Sequence, residues 1–321
     1  MSSRFASVFV AALLCAASAS AQPAVTPPSP NVISSVTVQA PSKPTVIEKQ
    51  ARTFVQSQTV AQNPEVGQIA RWRDPVCVQV VGLPREDEAA RIKARIESVA
   101  QAVGLPAAPA SCIANVEVVF SEHPQQTMDV VAERREYLLG YYHSHLRNQL
   151  KKVTRPIQSW YVTATRGDGM GTAVLAESMF AAYSQSRMEV VDDPNLQSPN
   201  GCADSRLTTS CLESRLRNVF IIADSQALSG KDLGLVADYL SVLALSQPRS
   251  LDGCDVLPSV IDAFSKSGCH GRDPPDGLTP ADAAYLTSLY EADLRTKKAV
   301  EQSQIASRMA QILVRANASG R

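Results

Sequence analysis

The distribution of cysteines constrains this chain more than any other feature. Cys15 sits inside an apolar N-terminal stretch, and six more follow at Cys77, Cys112, Cys202, Cys211, Cys254 and Cys269. The stretch, residues 5–17 (FASVFVAALLCAA), comes after Arg4 and is too short to span a bilayer. Ala19-Ser20-Ala21 then supplies the small-x-small pattern for cleavage before Gln22, so residues 1–21 read as a signal peptide. A buried N-terminal helix is the alternative. Lipid attachment at Cys15 is disfavoured because Leu14, not a small residue, precedes it. An even set of cysteines in an exported chain reads as disulfides. Nearest-neighbour pairing gives Cys77–Cys112, Cys202–Cys211 and Cys254–Cys269, although many connectivities are open. Zinc held by thiolates is the competing reading, against which stand the lack of any C-x-x-C pair and only four histidines.

Charge narrows the function. Lysine and arginine total 31, as do aspartate and glutamate, and no basic cluster stands out, so nucleic-acid binding is disfavoured. No second apolar run reaches transmembrane length after signal cleavage. An apolar fraction of 45% over 321 residues supports a sizeable core in one domain, or at most two.

Residues 22–66 differ from the rest. They are rich in Pro, Ser and Thr and read as an extended leader or linker without helical period. The alternation at residues 36–40 could add a strand to a neighbouring sheet edge, or the segment is simply a disordered leader. A single globular α/β domain is expected over 67–315, with a disordered tail at 316–321. Residues 76–81 (VCVQVV) form a β-branched run stopped by Gly82-Leu83-Pro84, and apolar positions Ala89, Ile92, Ile96, Val99 and Val103 mark a helix over 86–103. Strands are expected at 116–120, 157–165 and 219–223, with a long helix over 127–151 between the first two. Residues 231–245 read as a buried helix. Thr279 reads as an N-cap with Pro280 at the first helical position, opening helices over 281–290 and 294–314. The fold class is α/β or α+β: a mixed sheet with packed helices, a helical C-terminal part and disulfide-stapled loops.

Motifs for chemistry are sparse. His143 and His145 are two apart on an expected helix and point to different faces, while His123 and His270 join no ligand set. There is no G-x-S-x-G elbow, and the glycines of 167–171 lack the Lys-Ser/Thr of a phosphate loop. Acidic residues in 252–276 could hold calcium or simply form turns.

One ordering is familiar. A strand at 219–223, an apolar helix at 234–245, then a loop and more helices resembles the surroundings of the active helix in zincin metalloproteases, whose signature is H-E-x-x-H-x-x-G-x-x-H. Laid on residues 237–247, that pattern puts Ala237, Ser241 and Gln247 at the ligand positions, Asp238 at the general base and Ala244 at the glycine. The chain is also similar to uncharacterised secreted proteobacterial proteins that have a zincin-like layout without its metal motif. The points of likeness are Arg71-Trp72, residues 81–84, the helix end at 243–245 and the stretch 278–290. The resemblance implies an inactive relative, with no zinc and no cofactor. The expected function is therefore an exported, periplasmic or secreted, non-enzymatic domain that binds an envelope protein or peptide. The alternative is a carboxylate-dependent hydrolase of peptides or glycans using Asp224 and Asp238; calcium-dependent assembly through 252–276 is a third reading.

Overall fold

The structure, a computed structural model, describes residues 44–60, 68–140, 148–167, 212–251, 254–265, 268–269, 271–293 and 295–319. These all fall within one unit, residues 40–321. Residues 1–43, including the signal peptide expected over 1–21, lie outside the described set, as do Cys202, Cys211, His143, His145 and His270.

Four strands make one mixed sheet: β1 (Val78–Val81), β2 (Val116–Ser121), β3 (Ile157–Gly167) and β4 (Leu212–Asp224), in the order β1-β2-β4-β3. β1, β2 and β4 run parallel, and β3 pairs antiparallel with β4 at the edge. The helix α2 (Glu86–Ala102) supplies the crossover from β1 to β2, which a parallel pair requires. Its first turn holds Glu86, Asp87 and Glu88, favourable against the helix dipole, and Ile92, Ile96, Val99 and Ala100 form its buried stripe. Gly82, which turns the chain after β1, has φ of 88°. A Cβ at that site would run into Phe120 O, so only glycine fits.

The sheet is covered on both faces. Val78, Val116, Val118, Tyr161, Val219 and Ile221 face the larger core, shared with α2 and with α4 (Leu233–Leu245). Trp160, Phe220 and Ile222 face the smaller one, closed by Met128 of α3 (Pro124–Arg134) and by Leu138 and Leu139 of a short 3-10 turn. Burial on both faces explains why residues 219–223 of β4 read as a continuous apolar run.

The expected α4 is present and buried all round, from Val236 to Leu245 without a break. Asp232 caps its start by accepting from Leu235 N at 2.9 Å. Its last carbonyls would be orphaned in an apolar core, and three aromatic side chains satisfy them. Tyr161 Oη donates to Leu243 O (3.0 Å), Trp72 Nε1 to Ala244 O (2.7 Å) and Tyr290 Oη to Leu245 O (2.7 Å).

Thr279 and Pro280 start α5 (Pro280–Glu291) as expected, with Asp282 completing a capping box. The final helix, α6 (Lys298–Ser319), continues to Ser319, so most of the expected tail is helical. Of the helix expected over 127–151, α3 is ended by Arg135, a 3-10 turn follows over Glu136–Leu139 and is ended by Gly140 at φ 81°, and residues 148–150 are helical; residues 141–147 lie outside the described set.

The leader expected over 22–66 also needs correction. Pro44–Gln58 is a helix, α1, with Ile47, Ala51, Phe54 and Val55 buried against α6 and α5. Gln58 Nε2 donates to Asp255 Oδ2 at 2.7 Å, and Gln302 Nε2 donates to Thr59 Oγ1 at 2.7 Å. The apolar stripe of α1 has nowhere to go except this core, so residues 44–58 belong to the globular body.

Two of the expected disulfides are formed, Cys77–Cys112 and Cys254–Cys269. The third falls outside the described residues. No helix among the described residues is long and apolar enough to cross a membrane.

Candidate functional site

Parallel strands end together, and here the carboxyl ends of β2 and β4 meet the start of the antiparallel β3. Clefts at strand carboxyl ends are common ligand sites in open α/β sheets. This one encloses about 540 Å³ and is lined by Glu122 and His123 after β2, Gln125 of α3, Thr154 and Arg155 before β3, and Asp224 at the end of β4.

Local hydrogen bonds fix its walls. Ser121 Oγ accepts from His123 N (3.0 Å) and pairs with Thr127 Oγ1 (2.8 Å), which sets the first turn of α3. Pro124 at the first helical position needs no N–H partner there. Gln125 ties α3 to the opposite wall: its Nε2 donates to Lys151 O at 2.9 Å, and its Oε1 accepts from Val153 N at 2.8 Å. Gln158 holds the same wall from below, accepting from Thr154 N at 3.0 Å and donating to Lys152 O at 3.0 Å. Asp224 Oδ1 accepts from Gln226 N and Ala227 N, both at 3.0 Å, so that oxygen forms the turn after β4.

The cleft mixes acid (Glu122, Asp224) with base (Arg155) and an exposed imidazole (His123). Such a surface suits hydrogen bonding to a polar chain. From the sequence alone His123 is only a histidine that joins no ligand set. The signal that could have placed it is its position: directly after a strand and directly before a helix-starting proline.

Asp238 is elsewhere and otherwise engaged. It lies on α4, and it does not line the cleft that holds Asp224. Its Oδ1 accepts from Arg95 Nε of α2 at 2.5 Å, and its Oδ2 accepts from Leu278 N at 2.8 Å. A Cβ on Gly277 would lie 2.7 Å from that second oxygen. The carboxylate thus pins the 277–278 turn to two helices.

The zincin ligand positions do not fit zinc. Ala237 has no donor atom, and Ser241 Oγ, fully buried, donates to Ala237 O at 2.7 Å. Gln247 is half-buried with its Oε1 lacking a partner, and one amide oxygen does not make a zinc site. Of the acids proposed for calcium, Asp255 Oδ2 is taken by Gln58, and Asp262 Oδ2 accepts from Ser259 N at 3.1 Å.

The perturbed acids lie in the scaffold. Burial pushes Glu301 up to about 7 against the pull of Arg71, with which it forms a buried ion pair. Burial likewise raises Asp282, which accepts from Ser259 Oγ and Val260 N and ties the turn Val260–Phe264 to α5. None of these long-range partners could be read from spacing.

A scan of family models finds no match to this chain, and searches of curated proteins and of solved structures find none either.

Proposed function

We propose that this chain is an exported, non-enzymatic domain of the periplasm or extracellular space that binds a polar segment of an envelope protein or peptide in the cleft at Glu122–Asp224. One observation carries the reading: Asp238 is spent on Arg95 and Leu278 and takes no part in the cleft where Asp224 sits. A hydrolase needs two carboxylates facing one bond, and the pair read from the sequence is divided between separate places. The apolar stretch at 5–17, the Ala19-Ser20-Ala21 pattern and the two disulfides support export. On the zincin-like reading, α4 keeps the place of the active helix, with its ligand positions given over to packing.

The test has two arms. A photoreactive residue placed at Gln126 or Thr154 on the cleft rim should crosslink one discrete envelope protein or peptide, while the same group at exposed Ala94 on α2 should not. Equal crosslinking from all three positions, or none from the rim, overturns the binding reading. Separately, peptidase or glycosidase turnover that disappears in Asp224→Asn would overturn the non-enzymatic reading.

A further inference from the structure

The two disulfides stand in different surroundings. Cys77 is 5% exposed, its backbone fixed by Asn115 Oδ1 at 2.8 Å and by two amides bonded to its carbonyl, and its partner Cys112 is half-buried. Cys254, by contrast, is exposed, and Cys269 is half-buried. Beside this second bond lies a buried acid. Asp262 has a side chain 4% exposed, and one of its oxygens lies within 4.8 Å of both sulfurs. Its Oδ2 caps the turn by accepting from Ser259 N, whereas its Oδ1 is buried without a hydrogen-bond partner. A buried oxygen with no partner is rare and asks for a reason.

We propose that Cys254–Cys269 is a thiol–disulfide exchange site, opened by an external dithiol, with Asp262 delivering the proton to the departing Cys269 sulfur. The inference is independent of the cleft and of what binds there.

The steps balance as follows. A thiolate of the dithiol attacks Cys254 Sγ, the exposed sulfur, to form a mixed disulfide. The S–S bond breaks, its electron pair passes to Cys269 Sγ, and that sulfur takes the proton of the Asp262 carboxyl. The second thiol of the reagent, losing its proton to water, attacks its partner sulfur and expels Cys254 as a thiolate. Cys254 takes a proton from solvent; in the oxidised chain its sulfur already lies 3.3 Å from Gly268 O, an acceptor for that proton. Asp262 regains its proton from water. The dithiol is oxidised to a cyclic disulfide, and the protein bond is reduced by the same two electrons.

The surroundings suit an acid that keeps its proton in mild acid. Burial pushes Asp262 up to about 6, Ser259 N and the Arg272 guanidinium oppose this, and Asp255 and Asp282 reinforce it. From α4, Tyr239 packs edge-on against Phe264 of the same turn, ring centroids 4.9 Å apart.

The experiment treats the folded mature chain with dithiothreitol across about pH 5 to 7, quenches by alkylation and maps both bonds by mass spectrometry. Rates are normalised to thiolate concentration. Cys254–Cys269 should open at least ~10-fold faster than Cys77–Cys112, because it offers the exposed Cys254 sulfur for attack and has an acid beside it, whereas the other bond joins a buried and a half-buried cysteine. Its normalised rate should fall ~3-fold or more as pH rises through about 6, where the carboxyl loses its proton, and Asp262→Asn should abolish that fall. Asparagine keeps an oxygen for Ser259 N, and continued protection of Cys77–Cys112 reports that the variant is folded. Equal rates for the two bonds overturn the proposal, as do superimposable profiles for wild type and variant. Should Asp262→Asn not fold, a flat wild-type profile alone overturns it.

Discussion

Arg95 of α2 and Asp238 of α4 are joined by a 2.5 Å hydrogen bond from Nε to Oδ1 across 143 positions of sequence. The bond locks two helices that cover one face of the sheet, and the second oxygen of Asp238 holds Leu278 N. Asp238→Ala leaves that amide without its acceptor, at an expected cost of about 1–3 kcal/mol in urea unfolding. Asp238→Asn should cost less, because an amide oxygen still accepts from Leu278 N. Gly277→Ala should also destabilise, since its Cβ meets Oδ2 at 2.7 Å. The two changes must couple: in the Asp238→Ala background the alanine at 277 has no carboxylate to strike. An identical cost of Gly277→Ala in both backgrounds would remove this account of the turn.

Among the described residues Arg71 and Glu301 form the most deeply buried ion pair, their side chains 1% and 0% exposed. Glu301 Oε2 accepts from Ile69 N at 2.8 Å, and Arg71 also donates to Leu289 O and Ala292 O, so the pair ties α6 to the loop before β1 and to the end of α5. Burial raises Glu301 to about 7 and Asp262 to about 6. Both groups hold protons in the folded chain that the unfolded chain, with ordinary values of 4.5 and 3.8, has already released. Their contribution to stability is therefore fully present below those values and is lost as pH rises through about 6 and 7. Melting temperature should decline across that window, and Glu301→Gln should flatten the decline. A slope unchanged in the variant would contradict it.

Periodicity carried α2, α4 and the strands, because each presents a clean stripe or run that only one packing satisfies. The same logic was available for α1. Ile47, Ala51, Phe54, Val55 and Gln58 recur at helical spacing, but they follow directly on a proline-rich stretch, and the composition of 22–66 taken as one segment hides them. Strand order was not legible. Nothing in residues 157–165 says that they run antiparallel at the edge, beyond β4. The cleft was half legible: Asp224 stood out at a strand end, whereas Glu122, Gln125 and Arg155 gain meaning only once β2 and β3 share that end. Asp238 misled for a related reason, since an acid on an apolar helix suggests chemistry until its partners on α2 and at Leu278 are seen.

The carboxyl end of α4 gives a third prediction. Tyr161 and Tyr290 each donate to a carbonyl with no helical partner. Replacing either by phenylalanine keeps the ring and strands a buried acceptor, at an expected cost of about 1–3 kcal/mol each. Phenylalanine variants as stable as wild type in urea would mean that water reaches these carbonyls.

The disulfides should differ in weight as well as in lability. Cys77–Cys112 closes a 35-residue separation and Cys254–Cys269 one of 15. Loop-closure entropy alone gives about 4 and about 3 kcal/mol respectively. The paired alanine variant of the first should therefore lose more stability than that of the second, and the reverse order would show that the 254–269 loop contributes more than its length.

Phe54 tests whether α1 is part of the body. Its side chain is fully buried and meets Tyr285 edge-on, ring centroids 5.8 Å apart. Large-to-small changes in a packed core cost the lost burial plus the cavity left behind, so Phe54→Ala should cost about 3–5 kcal/mol. The effect should appear in the single cooperative unfolding of the whole chain, because α1 packs on α6 and α6 carries Glu301 into the pair with Arg71. Unfolding in two steps, with the main transition unmoved, would mean that residues 44–58 dock on a core complete without them. A single transition shifted to lower denaturant would make them structural from the first turn of α1.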